Sequence, residues 1–218
     1  MTYILHLETA TKVCSVALSE NGKLIAVKEN LSADYSHSEN LTVFIQELLV
    51  ESNLTLKEIH AVSVASGPGS YTGLRIGVST AKGLCYALDI PLISVDALIS
   101  LATIAAEKNP AKNLCALIDA RRMEEFSAIY NQNLELIKPI SADIIDESTY
   151  SEYEPFLYFG DGALKLQDVW KNRNCEIDLS IHSSAVGQIR HAFRKYQLED
   201  FENVAYFEPF YLKDFVSK

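Results

Sequence analysis

Two short stretches hold residues whose types and spacing suit chemistry. In Glu8-Thr9-Ala10-Thr11 a carboxylate and two hydroxyls follow the apolar run Tyr3–Leu7. Such a set can hold a magnesium-bound phosphate, and it can equally cap a strand end. In Ser66-Gly67-Pro68-Gly69-Ser70-Tyr71-Thr72-Gly73-Leu74-Arg75-Ile76-Gly77 the glycines allow a tight turn whose amide groups can cradle an anion, with the Ser70 hydroxyl and the Arg75 guanidinium close by. Glu8, Thr9, Ser70 and Arg75 are thus the candidates for a nucleotide or phosphate contact. Arg75 falls in the first turn of a helix, where positive charge opposes the dipole. A compensating carboxylate is expected from this chain or from a partner, with a phosphate as the weaker alternative.

Other chemistries fit the letters less well. Gly67 and Gly69 lack the following Gly-x-x-Gly order of a dinucleotide fold, and Gly73 precedes Leu74-Arg75 rather than the Lys-Ser/Thr of a P-loop. His37 and Glu39 have no second histidine at helical spacing, so no metal ligand is assigned. Cys14, Cys85, Cys115 and Cys175 are widely separated and read as structural thiols. Ser66 and Ser70 lack the order of a nucleophile elbow, and no catalytic residue is assigned. Asp119 with Arg121 either pairs across a domain cleft or holds a turn.

The elements that must position these residues follow from hydrophobic periodicity. Tyr3–Leu7, Val13–Ser19 and Lys23–Asn30 read as three successive strands, with Glu20-Asn21-Gly22 turning the second into the third. An amphipathic helix is predicted from near Ser38 to Val50, its apolar face carrying Leu41, Phe44, Ile45, Leu48 and Leu49. Strand Ala61–Ala65 enters the glycine turn, and a helix capped by Thr72 leaves it and runs to about Leu88. Strand Leu92–Val95 and a helix over Asp96–Ala106 follow. Three antiparallel strands leading into strand–helix units indicate a mixed sheet covered by helices. Beyond the polar break Glu107–Asn113, strands are expected at Leu114–Ile118, Glu125–Tyr130 and Phe156–Phe159, and a helix over Ser184–Tyr196. No internal repeat is legible. The predicted domains are 1–106 and 107–218, with the aromatic end Tyr206–Leu212 docking back on the chain's own body.

Glycine inside a helix costs about 1 kcal/mol relative to alanine. Gly73, Gly77 and Ala81 lie four apart, so close approach along that stripe is the expected return, either by the protein's own sheet or by a second helix from a partner. The formal charge of -10 opposes unaided binding to nucleic acid. Tyr3–Leu7 reads as a strand and not a leader, and no run of 18 apolar residues is present, so a cytoplasmic location without membrane contact is expected.

The run Ser66–Gly77 followed by Ala81-Lys82-Gly83-Leu84, with Cys14–Leu18, His37-Ser38, Asp119-Ala120-Arg121, Gly160-Asp161-Gly162 and Pro209–Lys213, resembles the TsaB (YeaZ) family of tRNA threonylcarbamoyladenosine biosynthesis proteins. The resemblance spans nearly the full chain. It implies an α/β, actin-like (ASKHA), ribonuclease-H-like fold of two lobes, each a mixed sheet flanked by helices. It also implies a noncatalytic subunit of the bacterial tRNA N6-threonylcarbamoyladenosine transferase complex, one that dimerises with and activates TsaD and supports recruitment of the ATPase TsaE. On this reading tRNA meets the chain indirectly, and ATP and magnesium belong to the assembled complex, with no intrinsic cofactor. TsaD carries His-x-x-x-His where this chain has His37 and Leu41, so the ligand pair is absent. Glu8-Thr9-Ala10 stands where family members commonly have Asp-Thr-Ser, and Tyr71 where phenylalanine is usual. Family partners meet through first-lobe helices, which places Leu41, Ile45, Gly73, Leu74, Gly77, Val78 and Ala81 at the partner interface. A homodimer through the same surface is the alternative state of the isolated chain. The competing functional classes are a hydrolase or peptidase, after the older glycoprotease naming, and a stand-alone ATP-dependent kinase relative.

Overall fold

Alternation of apolar and polar residues in the first thirty positions generates an antiparallel meander, β1 (Tyr3–Glu8), β2 (Cys14–Glu20) and β3 (Lys23–Asn30). Asn21 and Gly22, both at positive φ, make the tight β2–β3 turn. The computed structural model describes residues 1–31, 37–109 and 112–213. Strands β4 (Ala61–Ala65) and β5 (Leu92–Val95) join β1 in parallel, giving the order β3-β2-β1-β4-β5. Parallel neighbours need crossovers, supplied by helices α1 (His37–Glu51) and α2 (Tyr71–Leu88). Both lie on one face of the sheet, where Leu41, Ile45, Leu48, Val78, Ala81 and Cys85 meet Leu5, Leu7, Val16, Leu18, Val62 and Val64. Each large aliphatic side chain buried there contributes about 1.5–3 kcal/mol. Ser70, not Thr72, caps α2: its backbone is extended and its hydroxyl accepts from the Gly73 amide at 3.3 Å, which leaves Thr72 exposed inside the first turn.

The second half builds a sheet from β6 (Asn113–Asp119), β7 (Glu124–Tyr130), β8 (Leu136–Ile144), β9 (Phe156–Phe159) and β10 (Cys175–Asp178), in the order β10-β9-β6-β7-β8. Strands β6, β7 and β8 are antiparallel and β9 and β10 are parallel to β6, so the connection order of the first sheet is repeated. The duplicated topology, a meander extended by two parallel strands with helices on the faces, is the actin-like, ribonuclease-H-like architecture.

The lobes are interlaced through their helices. Helix α3 (Ala97–Lys108), capped by Asp96 accepting from the Leu98 and Ile99 amides at 2.8 and 2.9 Å, follows the first sheet but packs on the second, against Leu114, Ala116, Ile118, Ala128 and Phe159. Helix α4 (Ile189–Gln197), entered through a 3-10 turn at Ala185–Gln188, follows the second sheet but covers the back of the first, where Ala192, Phe193 and Tyr196 meet Ile4, Ala61 and Ile93. A cut at 106/107 therefore divides the sheets but not the layers that cover them. The terminal segment returns to the first lobe, forming a bridge between Glu202 and Leu92 and donating the Phe210 amide to the Ser66 carbonyl at 2.7 Å. Among the described residues no helix is long and apolar enough to cross a membrane.

Candidate functional site

The strand end at Glu8 and the glycine turn meet at the centre of the first lobe. Glu8 is fully buried; one carboxylate oxygen accepts the Ala10 amide at 2.8 Å and the other faces the Gln188 side-chain nitrogen at 3.4 Å. Gln188, itself fully buried, also donates to the Leu7 carbonyl at 2.8 Å and accepts from the Ser63 hydroxyl at 2.5 Å. Burial pushes the Glu8 carboxyl up to about 7, and the nearby Asp96 charge acts in the same direction. Thr9 donates its hydroxyl to the Gly73 carbonyl at 2.8 Å. Ser70 is occupied as the α2 cap, and its amide donates to the Ala10 carbonyl at 2.6 Å.

These contacts explain the glycines. A Cβ on Gly69 would stand 2.2 Å from the Ala10 carbonyl oxygen, one on Gly73 2.1 Å from that of Thr9, and one on Gly77 2.3 Å from the Thr9 hydroxyl. The stripe on α2 is therefore a seat for the chain's own β1–β2 loop. The four phosphate candidates do not converge on a cavity: Glu8 and Thr9 are enclosed by self-contacts, Ser70 holds a helix end, and Arg75 lies on the exposed face of α2. Arg75 meets aromatic groups directly, and the expected carboxylate of this chain, Glu208, acts on its charge as well. Its Nε donates to the Tyr211 hydroxyl at 3.2 Å and its guanidinium sits 4.1 Å from the centre of the Tyr71 ring, which in turn packs on Tyr211.

The seven residues expected at a partner surface are placed inward. Leu41, Ile45, Leu74, Val78 and Ala81 are buried in the protein's own core, and Gly73 and Gly77 face Thr9. This corrects the side of the helices that they occupy, because the apolar stripe of an amphipathic helix goes first to its own sheet. The same helices present a different stripe outward. On α1 it includes Val43 and Val50, the latter 69% exposed, and on α2 it includes Ser79, Gly83 and Tyr86, the last 86% exposed. A Cβ on Gly83 would meet none of the described residues within 4 Å. Lys82, Gly83 and Tyr86 also line a groove of about 600 Å³ with Asn203, Val204 and Ala205. Gly83 is out of phase with the Gly73, Gly77 and Ala81 spacing, and Val43 and Val50 are out of phase with the apolar face of α1. That phase difference was the signal available in the sequence.

In the second lobe, the β6–β7 hairpin carries Asp119 at its base and Arg121 and Arg122 at its tip, the two arginines at φ 74° and 55°. Left-handed backbone costs a side-chain-bearing residue about 1–2 kcal/mol. Asp119 holds the turn by accepting the Arg121 amide at 3.0 Å, and it pairs with Lys165 at 2.5 Å, so the Asp119–Arg121 contact is made through the backbone. Glu125, fully buried beneath Gly162, pairs with Lys165 at 2.9 Å, and burial pushes its carboxyl up to about 8. Glu124 is paired with Lys213 of the terminal segment. Among the described residues no group of three or more His, Cys, Asp or Glu side chains is arranged to hold a metal ion.

Comparison with known proteins adds the following. A family model described as TsaD, tRNA N6-adenosine threonylcarbamoyltransferase, matches residues 31–214. The tRNA threonylcarbamoyladenosine biosynthesis protein TsaB of Escherichia coli is 38% identical over 130 residues, which cover 60% of this chain and 55% of that protein. TsaB of Bacillus subtilis is 32% identical over 146 residues, covering 64% of this chain and 60% of that protein. The chain thus spans little more than half the length of these curated relatives. The structure of YeaZ from Pseudomonas aeruginosa superposes with a TM-score of 0.81 at 26% identity, covering 97% of this chain and 100% of that one.

Proposed function

The chain belongs to the tRNA N6-adenosine threonylcarbamoyltransferase (TsaD) family, on its TsaB (YeaZ) branch, and from that premise we propose that it is a noncatalytic subunit of the bacterial complex that makes threonylcarbamoyladenosine in tRNA. It pairs with TsaD, supports recruitment of TsaE, and works in the cytoplasm. The observation that carries the pairing is the outward stripe of α1 and α2. Gly83 costs about 1 kcal/mol of helix stability and a side chain there would meet none of the described residues, next to a tyrosine that is 86% exposed. A helix from another subunit lying on Gly83 and between Tyr86 and Val50 supplies the missing contact.

A noncatalytic role is supported by the closed state of the strand end. Glu8 and Thr9 are spent on the chain's own backbone, and Leu41 stands where TsaD has its second histidine. ATP and magnesium on this reading are held by the assembly, and tRNA by TsaD. The test is a light-scattering titration of this chain with TsaD of the same organism, with and without ATP and magnesium. The expected result is a discrete heterodimer mass; two independent masses at micromolar concentrations would remove the pairing. The same measurement on the chain alone reports whether the outward stripe pairs with a second copy of itself.

A further inference from the structure

The tip of the β6–β7 hairpin is built against backbone preference. Arg121 and Arg122 are consecutive, both left-handed and both exposed, in a turn closed by the Glu124 amide donating to the Arg121 carbonyl at 3.2 Å. Glycine and asparagine fill such positions with less strain, so the turn itself does not call for the two arginines. Neither guanidinium has a carboxylate partner or a side-chain hydrogen bond among the described residues. The carboxylates around them lean on lysines: Asp119 and Glu125 share Lys165, and Glu124 pairs with Lys213. Lys12, exposed on the facing β1–β2 loop, lies close enough for its charge to act on Asp161, whose carboxylate accepts the Asp119 amide at 3.1 Å. A molecule of net charge -10 thus projects unmatched positive charge at one convex point.

We propose that Arg121 and Arg122 contact the phosphate backbone of tRNA directly. This rests on the reading of the chain as a subunit of the tRNA-modifying complex, and it adds a contact where that reading expects tRNA to be held by TsaD. Convexity selects the ligand: a free nucleotide needs a concave site, whereas a polyanionic strand is met by guanidiniums on a projecting turn. The location also fits. Lys213 on Glu124 and Tyr211 on Arg75 connect the hairpin base to the first half of α2, the helix whose outward stripe is assigned to TsaD.

The test uses R121N/R122G, which removes both charges and installs residues that accept the left-handed backbone. Fluorescent tRNA is titrated into wild-type and variant chains, each alone and each premixed with TsaD, with assembly mass read in parallel. Expected are a melting temperature at or above that of the wild type, an unchanged mass, binding weaker by about tenfold across different tRNAs, and a salt slope smaller by about 2. Superimposable tRNA curves, or displacement of tRNA from the wild type by micromolar ATP or inorganic phosphate, would overturn the proposal. Loss of tRNA binding by the variant in the absence of any assembly with TsaD would instead sink the subunit reading and leave the arginine contact standing.

Discussion

Single residues divide sharply between those that hold the fold and those free to meet something else. Glu8 belongs to the first group, and its environment gives it a pH signature. Burial lifts its carboxyl from the ordinary 4.5 to about 7 in the folded chain, so between those values the unfolded chain holds fewer protons and stability falls as pH rises. From pH 5 to pH 8 the loss attributable to Glu8 is about 2 kcal/mol. Denaturant titrations of wild type and Glu8→Gln at both pH values should show the variant losing less by about that amount; equal losses would mean that Glu8 is not held in its neutral form. Gly77 gives a steric counterpart. A side chain there meets the Thr9 hydroxyl, so Gly77→Ala is expected to destabilise the isolated protein by about 2 kcal/mol. An unchanged melting temperature would contradict the packing of β1 on α2.

Helix α2 reads differently on its two sides, and the comparison isolates what each glycine does. Gly83→Ala is expected to stabilise the isolated chain by about 1 kcal/mol, opposite in sign to Gly77→Ala, because none of the described residues lies within 4 Å of its Cβ. Gly83→Leu should leave the fold intact and weaken TsaD binding at least tenfold; calorimetric binding equal to wild type would remove α2 from the interface. The sequence made the elements legible where alternation and periodicity were strong: the meander, α1, α2, β4 and β5 all stand where apolar spacing places them. It was silent on β8, which is interrupted by Pro139 and shifts register against β7, and on β10, a four-residue edge with two acidic residues. Without those strands the duplicated topology could not be seen. The side of α2 that faces inward was equally hidden, since Gly73, Gly77 and Ala81 mark close approach without saying by what. Only the position of Thr9 shows it to be the chain's own loop.

At the scale of the whole molecule, the terminal segment ties the lobes together. It adds Glu202 to the edge of the first sheet, lays Phe210 over Gly67, receives the Lys82 ammonium on the Ala205 and Phe207 carbonyls at 3.1 and 3.0 Å, and sets Lys213 on the second-lobe hairpin. Ending the chain after Asp200 removes these contacts and should cost about 3 kcal/mol. Faster amide exchange is expected at Ala97, whose amide donates to the Gly67 carbonyl beneath the segment; unchanged exchange there would show that the segment is not part of the folded unit. The function proposed for the whole rests on division of labour: this chain keeps its strand end closed and offers its helices, and TsaD performs the chemistry. The most direct measurement is threonylcarbamoyl transfer to tRNA in a reconstituted system containing TsaD, TsaE, ATP, magnesium and the threonylcarbamoyl donor, with this chain present, absent, or replaced by Gly83→Leu. The account predicts no product from this chain alone, product that depends on its addition to TsaD, and a loss with Gly83→Leu that higher concentration restores; transfer by TsaD that is indifferent to this chain would contradict it.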